Sequence, residues 1–267
     1  MIKIPLRDRS FGHCIYSNNP LPPTSFSKYV EWERDVINEK TIYTDYCIEE
    51  APTNAVVWLI EPRDLIPHIY SYVEQNAFKF KKIWTHDTDI LQKFSHAVFV
   101  PLGGCWIKKE DQKIYSKNKS FSIIASGKRQ LSGHILRHEI ISASENNIDV
   151  YGNGYKHIPY KLEGLKDYRY HFAIENCKKD IWFTEKLIDC LVTGTIPIYW
   201  GCPSIHKYFN PEGFIMFDTL PDLKEKLKLC TPEYYESKLP AIKENFERAQ
   251  KFILAEDWLY ENDLYLA

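Results

Sequence analysis

The segment Tyr168-Arg-Tyr-His-Phe-Ala-Ile174 alternates apolar and other side chains with a period of two, which predicts a β-strand. Further along, Thr184 is a suitable N-cap for a helix whose apolar residues fall on one face, and Gly194 is a suitable stop for it. The run Thr195-Ile-Pro-Ile-Tyr-Trp200 then predicts a second, buried strand. The whole stretch therefore predicts a βαβ unit, and with it an α/β fold.

Polar residues cluster at one predicted edge of this unit. The two strands run parallel, so their carboxyl ends and the helix N-terminus meet where Glu175, Asn176, Thr184, Glu185 and Lys186 stand. A helix N-terminus offers unpaired N–H groups and partial positive charge, to which Lys186 adds a full charge. The edge is predicted to bind a phosphate, with Glu185 accepting hydrogen bonds from ribose hydroxyls. Alternatively, Glu185 only complements the helix dipole and Lys186 is a solvated charge.

Four motifs carry a resemblance to a known family. They are Phe172-Ala-Ile-Glu-Asn-Cys177, Thr184-Glu-Lys186, Gly194-Thr-Ile-Pro-Ile-Tyr-Trp-Gly-Cys-Pro-Ser204 and Phe209-Asn-Pro-Glu-Gly-Phe-Ile215. In order and spacing they resemble the signature of the α-1,3-fucosyltransferases, glycosyltransferase family ten, roughly over residues 120 to 235. The resemblance implies a GT-B-like α/β fold, in which two Rossmann-like domains face each other across a cleft and the C-terminal one holds a GDP-sugar. It implies no metal requirement.

Composition excludes several other classes of protein. The 267 residues are 44% hydrophobic and 15% aromatic, enough for globular cores, and the net charge of -2 does not indicate a nucleic-acid partner. The seven cysteines include no C-x-x-C pair, which favours free thiols over structural zinc. No apolar run approaches the roughly 20 residues that span a bilayer, and the N-terminus lacks the apolar region of a signal peptide. We therefore expect a soluble cytoplasmic protein without a transmembrane segment.

The pattern predicts two domains and a C-terminal segment. Residues 1–118 form a small N-terminal α/β domain on the acceptor side, which includes a helix from Ser25 to about Asn38. Lys108–Lys119 is polar and basic and is interpreted as a linker. Residues 119–245 form the Rossmann-like domain that binds the nucleotide sugar, and residues 246–267 are predicted to be helical and could pack back on the first domain.

A second loop is predicted to contact the donor. The strand Phe121–Ala125 leads into Ser126-Gly-Lys128 and then a helix, a weak phosphate motif without the Walker pattern, in which Ser126 and Lys128 are candidates. The resemblance places Arg137 where the family has a helix-borne arginine that reaches the pyrophosphate, and an arginine can bind a phosphate with two hydrogen bonds. Tyr151 lies in the matching valine-tyrosine-glycine strand end. The alternative for Arg137 is an exposed residue paired with an acid.

The catalytic base is assigned through the resemblance. Glu61 follows the apolar run Ala55–Ile60 and precedes Pro62, like the family's glutamate that acts as general base. Alternatively it is only an acid in a loop at a strand end. Glu175 competes as the acid, but we assign it to donor binding together with Asn176.

Two other groups of residues permit more than one interpretation. Most aromatic residues near Tyr168–Trp200 are predicted to be core, but Trp182 stands where the family often places a tyrosine near the donor, so we include it in the donor site. The tripeptide Asp87-Thr-Asp89 has the spacing of a Mn²⁺-binding pair. We favour instead that Asp87 caps the next helix, and we predict no metal site.

Together these features predict an inverting glycosyltransferase. It would move a sugar, L-fucose by the resemblance, from a GDP-sugar to a hydroxyl of a glycan acceptor, with no cofactor besides the donor. The alternatives are a non-catalytic module of the same fold that binds nucleotide sugars or glycans, and a transferase that uses a different GDP-hexose.

Overall fold

Two parallel β-sheets organise the chain in the computed structural model, which describes residues 1–9, 27–144 and 147–263. Unit 1 comprises Met1–Gly104 and Leu254–Ala267, and unit 2 comprises Cys105–Ile253. The sequence pattern predicts these divisions after residues 118 and 245. The structure divides the chain after residues 104 and 253 instead.

Unit 1 is built on a six-stranded parallel sheet with strand order β2-β1-β3-β4-β5-β6. Its elements before residue 104 are β1 (Ile2–Arg7), β2 (Val30–Glu33), β3 (Ile42–Thr44), β4 (Val56–Trp58), α1 (Pro67–Asn76), β5 (Lys82–Thr85), α2 (Thr88–Lys93) and β6 (Ala97–Phe99). Strand β4 shows why the central strands are continuously apolar: Val56 and Trp58 pack into one core cluster, and Val57 packs into the cluster on the opposite face.

The predicted helix from Ser25 to Asn38 is wrong for the residues that the structure describes. Val30 and Trp32 are buried and Glu31 and Glu33 are half-buried, and the four residues pair with β1 as a parallel strand. This alternation has the period of a strand, which outweighs the helix propensity of the glutamates. Ser25 itself lies outside the described residues.

Unit 2 is built on a five-stranded parallel sheet with strand order β11-β10-β9-β7-β8. Its elements are β7 (Lys119–Ile124), α3 (Ser132–Ala143), β8 (Asp149–Tyr151), β9 (Tyr168–Ile174), α4 (Glu185–Leu191), β10 (Ile196–Trp200), β11 (Ile215–Met216), α5 (Leu220–Leu227), α6 (Pro232–Ser237) and α7 (Leu239–Ala249). The predicted βαβ unit is therefore present, and the fold class is confirmed as α/β with parallel sheets.

The strand order of unit 2 creates a crevice beside the carboxyl end of its first strand. From β7 the chain moves to β8 on one side, and it then returns to β9 on the other side of β7. The connections that leave β7 and β9 consequently diverge, and in open α/β sheets ligands bind at such a switch point. The order thus predicts where unit 2 would hold a ligand.

Two segments pack more closely than their polar sequences suggest. Helix α8 (Ala255–Asn262) belongs to unit 1, where Asp263 after it accepts a hydrogen bond from Trp84 Nε1 at 2.6 Å and pairs with Lys82. Lys117, in the stretch interpreted as a linker, is only 8% exposed. Its ammonium donates to Leu165 O, Thr193 O and Thr195 Oγ1 at 2.8–3.1 Å, which ties the stretch to unit 2.

Candidate functional site

A cavity of about 220 Å³ opens at the switch point of unit 2. Residues after β7, after β8 and at the end of β9 form its walls, and the first turn of α4 closes one side. Its polar lining residues are Ser126, Arg137, Asn153, Lys161, His171, Glu185, Lys186 and Asp189. Of the residues assigned to donor binding from the sequence, the cavity therefore brings together Ser126, Arg137, Glu185 and Lys186.

Arg137 is held against the end of β9 by one edge of its guanidinium group. Nε donates to Ile174 O at 3.1 Å, and Nη2 donates to the same oxygen and to Asn176 Oδ1 at 3.0 Å. Nη1 makes no hydrogen bond to any described residue, and the side chain lines the cavity. Burial lowers the pKa of Arg137, against the effect of the nearby carboxylates of Glu175 and Glu185. A fixed, cationic N–H donor is thus available to an anion in the cavity.

Helix α3, which carries Arg137, packs closely against the end of β9. Gly133 N donates to Asn176 O at 2.9 Å, and a Cβ atom at Gly133 would lie 1.7 Å from Glu175 O. Only glycine permits this approach of the helix to the strand end. Asn176, which the sequence assigned to binding of the sugar donor, therefore holds Arg137 and α3 in place through its side-chain and backbone oxygens.

Glu175 lies behind the cavity, completely buried. Its two carboxylate oxygens accept hydrogen bonds from Thr184 N at 2.8 Å and Thr184 Oγ1 at 2.7 Å. Burial raises the pKa of Glu175, partly offset by Lys186 and by the Thr184 hydrogen bonds. Thr184 is the N-cap of α4, as the sequence predicted. Both residues thus fix the first turn of α4, and neither lines the cavity.

Glu185 and Lys186 bring opposite charges to the cavity wall. Lys186 Nζ lies 3.1 Å from Glu185 Oε1 and 3.3 Å from Thr184 Oγ1, with 24% of its side chain exposed. These contacts are partly open to solvent, so Lys186 can exchange them for a stronger anionic ligand at modest cost. The interpretation of Lys186 as a solvated surface charge does not fit this placement.

Lys161 is a cavity residue that the sequence did not reveal. Its Nζ lies 3.4 Å from Glu185 Oε1 and 3.3 Å from Asp189 Oδ2, and it sits 4.7 Å from the centre of the Trp106 ring. Burial acts to lower the pKa of Lys161, but the two carboxylates outweigh it and leave the pKa raised. Lys161 therefore stays charged and neutralises acids that would otherwise repel an anion.

Three other residues assigned to the donor do not line the cavity. Lys128 has an exposed side chain, and its carbonyl accepts a hydrogen bond from His138 Nε2. Tyr151 is buried with its hydroxyl 2.6 Å from that of Tyr168. Trp182 is 1% exposed, so it belongs to the core like its aromatic neighbours.

Glu61 lies in unit 1, three residues after β4, and its backbone is held by side chains. Asp45 Oδ1 accepts hydrogen bonds from Ile60 N at 2.8 Å and Glu61 N at 3.3 Å. Tyr70 donates to Glu61 O at 2.9 Å, and His86 Nε2 lies 3.0 Å from Ile60 O. All four backbone polar groups of Ile60 and Glu61 are therefore paired with side chains.

The Asp-x-Asp motif has a structural role in unit 1. Asp87 is the N-cap of α2, as expected, because its carboxylate accepts from Ile90 N at 3.1 Å. The same carboxylate pairs with Arg63 at 2.9 Å, and these bonds hold the pKa of Asp87 low against the effect of burial. Among the residues that the structure describes, no group of three His, Cys, Asp or Glu side chains is arranged to hold a metal ion.

Comparison with known proteins supports the resemblance stated above. Residues 114–232 match the family described as glycosyltransferase family 10 (fucosyltransferase), C-terminal. We refer to residues 114–232 below as the family 10 domain, after the family model that they match. The α-(1,3)-fucosyltransferase FucT of Helicobacter pylori is 46% identical over 55 residues, which are 21% of this chain and 12% of that protein. A putative fucosyltransferase-like protein of Arabidopsis thaliana is 29% identical over 94 residues, 34% of this chain and 18% of that protein.

The fold similarity extends beyond the family 10 domain. A crystal structure of an α1,3-fucosyltransferase with GDP-fucose superimposes with a TM-score of 0.58 at 18% identity, covering 98% of this chain and 90% of that one. The GT-B-like fold class is thus confirmed. The chain spans less than a fifth of the length of the curated relatives above.

The family 10 domain contains every residue that lines the cavity, whereas Glu61 lies outside the matched range. In the parts of the chain that the structure describes, no helix is long and apolar enough to cross a membrane.

Proposed function

We propose that this protein is an inverting glycosyltransferase that moves L-fucose from GDP-fucose to a hydroxyl group of a glycan. The observation that carries the proposal is the cavity at the switch point of the family 10 domain, where three cationic side chains meet: Arg137, Lys161 and Lys186. The bound donor in the structurally similar α1,3-fucosyltransferase supports the choice of GDP-fucose.

The cavity suits a diphosphate that is about to leave. Arg137 Nη1 and Lys186 Nζ are the donors proposed to bind it, because each lines the cavity and neither has a strong ion pair in the absence of ligand. Negative charge grows on the diphosphate as the bond to the sugar breaks, and fixed cationic donors stabilise that charge. We propose that these side chains make a metal ion unnecessary, which predicts that excess EDTA leaves turnover unchanged.

Ser126 and Glu185 have complementary parts in the proposal. Ser126 stands in the loop after β7, where its hydroxyl can donate to a phosphate oxygen. Glu185 stands in the first turn of α4, where its carboxylate can accept hydrogen bonds from ribose hydroxyls. Lys161, held between Glu185 and Asp189, reduces the repulsion that these acids would exert on the diphosphate.

The transfer needs a base, and Glu61 is proposed for it. The acceptor oxygen bonds to the anomeric carbon while the bond from that carbon to the β-phosphate oxygen breaks, and its electron pair leaves with GDP. The acceptor proton passes to the Glu61 carboxylate. A single displacement of this kind inverts the anomeric carbon. The backbone of Ile60 and Glu61 is held by four side-chain hydrogen bonds, two on each residue, as expected for a segment that must keep one position.

We also propose that the protein acts in a reducing, cytoplasmic compartment. Six cysteines are free thiols in the described residues, in agreement with a reducing, cytoplasmic environment.

A donor-binding panel and a turnover assay test the proposal together. GDP is expected to raise the melting temperature more than UDP or CDP, because ligand binding to the folded state stabilises it. Release of GDP from GDP-fucose is then followed with a panel of glycan acceptors. Glu61→Gln is expected to bind GDP normally and to lose roughly 10²–10⁴-fold in kcat. Normal turnover by this variant would reject Glu61 as the base, and donor binding without turnover by the natural protein would instead favour a binding module.

A further inference from the structure

Three side chains of unit 1, Asp45, Tyr70 and His86, surround the segment Ile60–Glu61 that follows β4. Asp45 follows β3 directly and has φ of 41°, a left-handed backbone conformation that is unfavourable for residues other than glycine, although aspartate tolerates it better than most. Strained backbone of this kind persists only where the surroundings hold it, and it concentrates at functional sites.

The conformation aims the Asp45 carboxylate at the segment that carries Glu61. Its Oδ1 atom accepts both Ile60 N–H and Glu61 N–H, and Oδ2 lies 3.4 Å from Glu61 N. Both amides lie beyond Trp58, the last residue of β4, and are therefore outside the strand pairing of the sheet. The carboxylate takes the place of a strand partner and fixes the direction in which the chain leaves the sheet.

Two further side chains hold the carbonyl groups of the same segment. Burial raises the pKa of Tyr70, so its hydroxyl remains a donor to Glu61 O. Burial lowers the pKa of His86 to about 4, so the ring is neutral and its Nε2–H donates to Ile60 O. Asp45, Tyr70 and His86 therefore pair every backbone N–H and C=O group of Ile60 and Glu61, which restricts movement of these two residues.

Resting on the proposed function, we infer that Asp45 is a positioning residue for transfer: it holds Glu61 where its carboxylate can take the acceptor proton, with Tyr70 and His86 completing the support. Asp45 touches neither substrate in this account. Its burial, opposed by the two amide bonds and reinforced by Glu61, raises the pKa of Asp45 to about 8. At neutral pH the side chain is mostly uncharged, so it accepts hydrogen bonds without repelling the Glu61 carboxylate.

The neutral state makes asparagine a good substitute for Asp45. Asp45→Asn keeps one carbonyl oxygen that can accept both amides, whereas Asp45→Ala removes the acceptor. We expect Asp45→Ala to lower kcat by about 10–100-fold, because misplacement of a reacting group by about 1 Å costs on that order. Asp45→Asn should stay within about threefold of the natural protein by the same argument. GDP affinity and the KM for the donor should not change in either variant, because the donor cavity lies in unit 2.

Asp263→Asn is a matched control for loss of stability. Asp263 is another buried carboxylate of unit 1, and it accepts from Trp84 Nε1 and pairs with Lys82, both on β5. This variant should lower the melting temperature and leave kcat unchanged. If Asp45→Ala kept kcat within twofold, or if asparagine at this position failed to restore it, the inference would be overturned.

Amide hydrogen exchange gives a readout that does not depend on turnover. The amides of Ile60 and Glu61 should exchange slowly in the natural protein and in Asp45→Asn, and much faster in Asp45→Ala. Slow exchange in Asp45→Ala would overturn the inference by itself. Failure of the proposed base is recognised separately: Glu61→Gln would then be active, whereas an inactive Glu61→Gln beside an active Asp45→Ala rejects only the positioning role.

Discussion

Replacement of Arg137 by lysine tests whether the shape of the guanidinium group, and not only its charge, serves donor binding. In the structure one edge of the group is bound to Ile174 O and Asn176 Oδ1, which leaves Nη1 as the donor toward the cavity. A lysine ammonium is a compact point charge that cannot serve both the strand end and a phosphate in this geometry. Arg137→Lys therefore removes one charge-assisted hydrogen bond to the diphosphate.

A hydrogen bond of this kind contributes about 1.5–3 kcal/mol. Since 1.4 kcal/mol corresponds to tenfold in affinity, the Kd for GDP should rise by roughly 10–150-fold. The assay is isothermal titration calorimetry with GDP at one fixed ionic strength. Arg248→Lys is the matched control, because Arg248 pairs with Glu244 on α7 of the same unit and does not line the cavity.

The control should bind GDP like the natural protein. A change of less than about threefold for Arg137→Lys, which is below the smallest loss expected for one such bond, would refute the reasoning, provided that the variant is folded by circular dichroism.

The other predictions concern stability. Lys161→Met should lower the free energy of unfolding, measured in urea, by about 3–5 kcal/mol, because it leaves buried Asp189 without its cation. The control Lys119→Met removes an exposed ion pair and should change the free energy of unfolding by less than about 1 kcal/mol. Equal effects of the two variants would contradict this prediction. Burial raises the pKa of Glu256 to about 7, above its unfolded value, so its stabilising effect is complete below about pH 4.5 and is lost as the pH rises through 7. Glu256→Gln should therefore match the natural protein near pH 5 and melt at a higher temperature at pH 8, and a constant difference at both pH values would reject this.

The unit 2 sheet could be predicted because its signals are local. Strand β9 has the predicted bounds, Thr184 caps α4, and β10 begins one residue after the predicted start. Periodicity and capping depend only on neighbours in the sequence, and the order of the family motifs supplied the rest. Strand β2 was not predicted because it has only four residues, two of which are glutamates, and because its partner β1 is distant in the sequence.

The site was predictable only in part, because several of its residues act through contacts that are distant in the sequence. Lys161 stands in a short 3₁₀ segment with no motif, and only the fold brings it to Glu185. Asp45 reaches Glu61 from a neighbouring strand, which no spacing rule reveals. In the opposite direction, the match of Trp182 to a family position suggested donor contact, but the pattern could not show that the ring faces the core.

The central claim is that a diphosphate binds in the cavity of the family 10 domain, and a crystal structure with GDP tests it most directly. We expect the diphosphate oxygens at hydrogen-bond distance, about 2.7–3.2 Å, from Arg137 Nη1 and Lys186 Nζ, with Lys186 moved away from Glu185. GDP bound elsewhere on the protein, or bound in the cavity with its diphosphate beyond hydrogen-bond distance of Arg137 Nη1 and Lys186 Nζ, would contradict it.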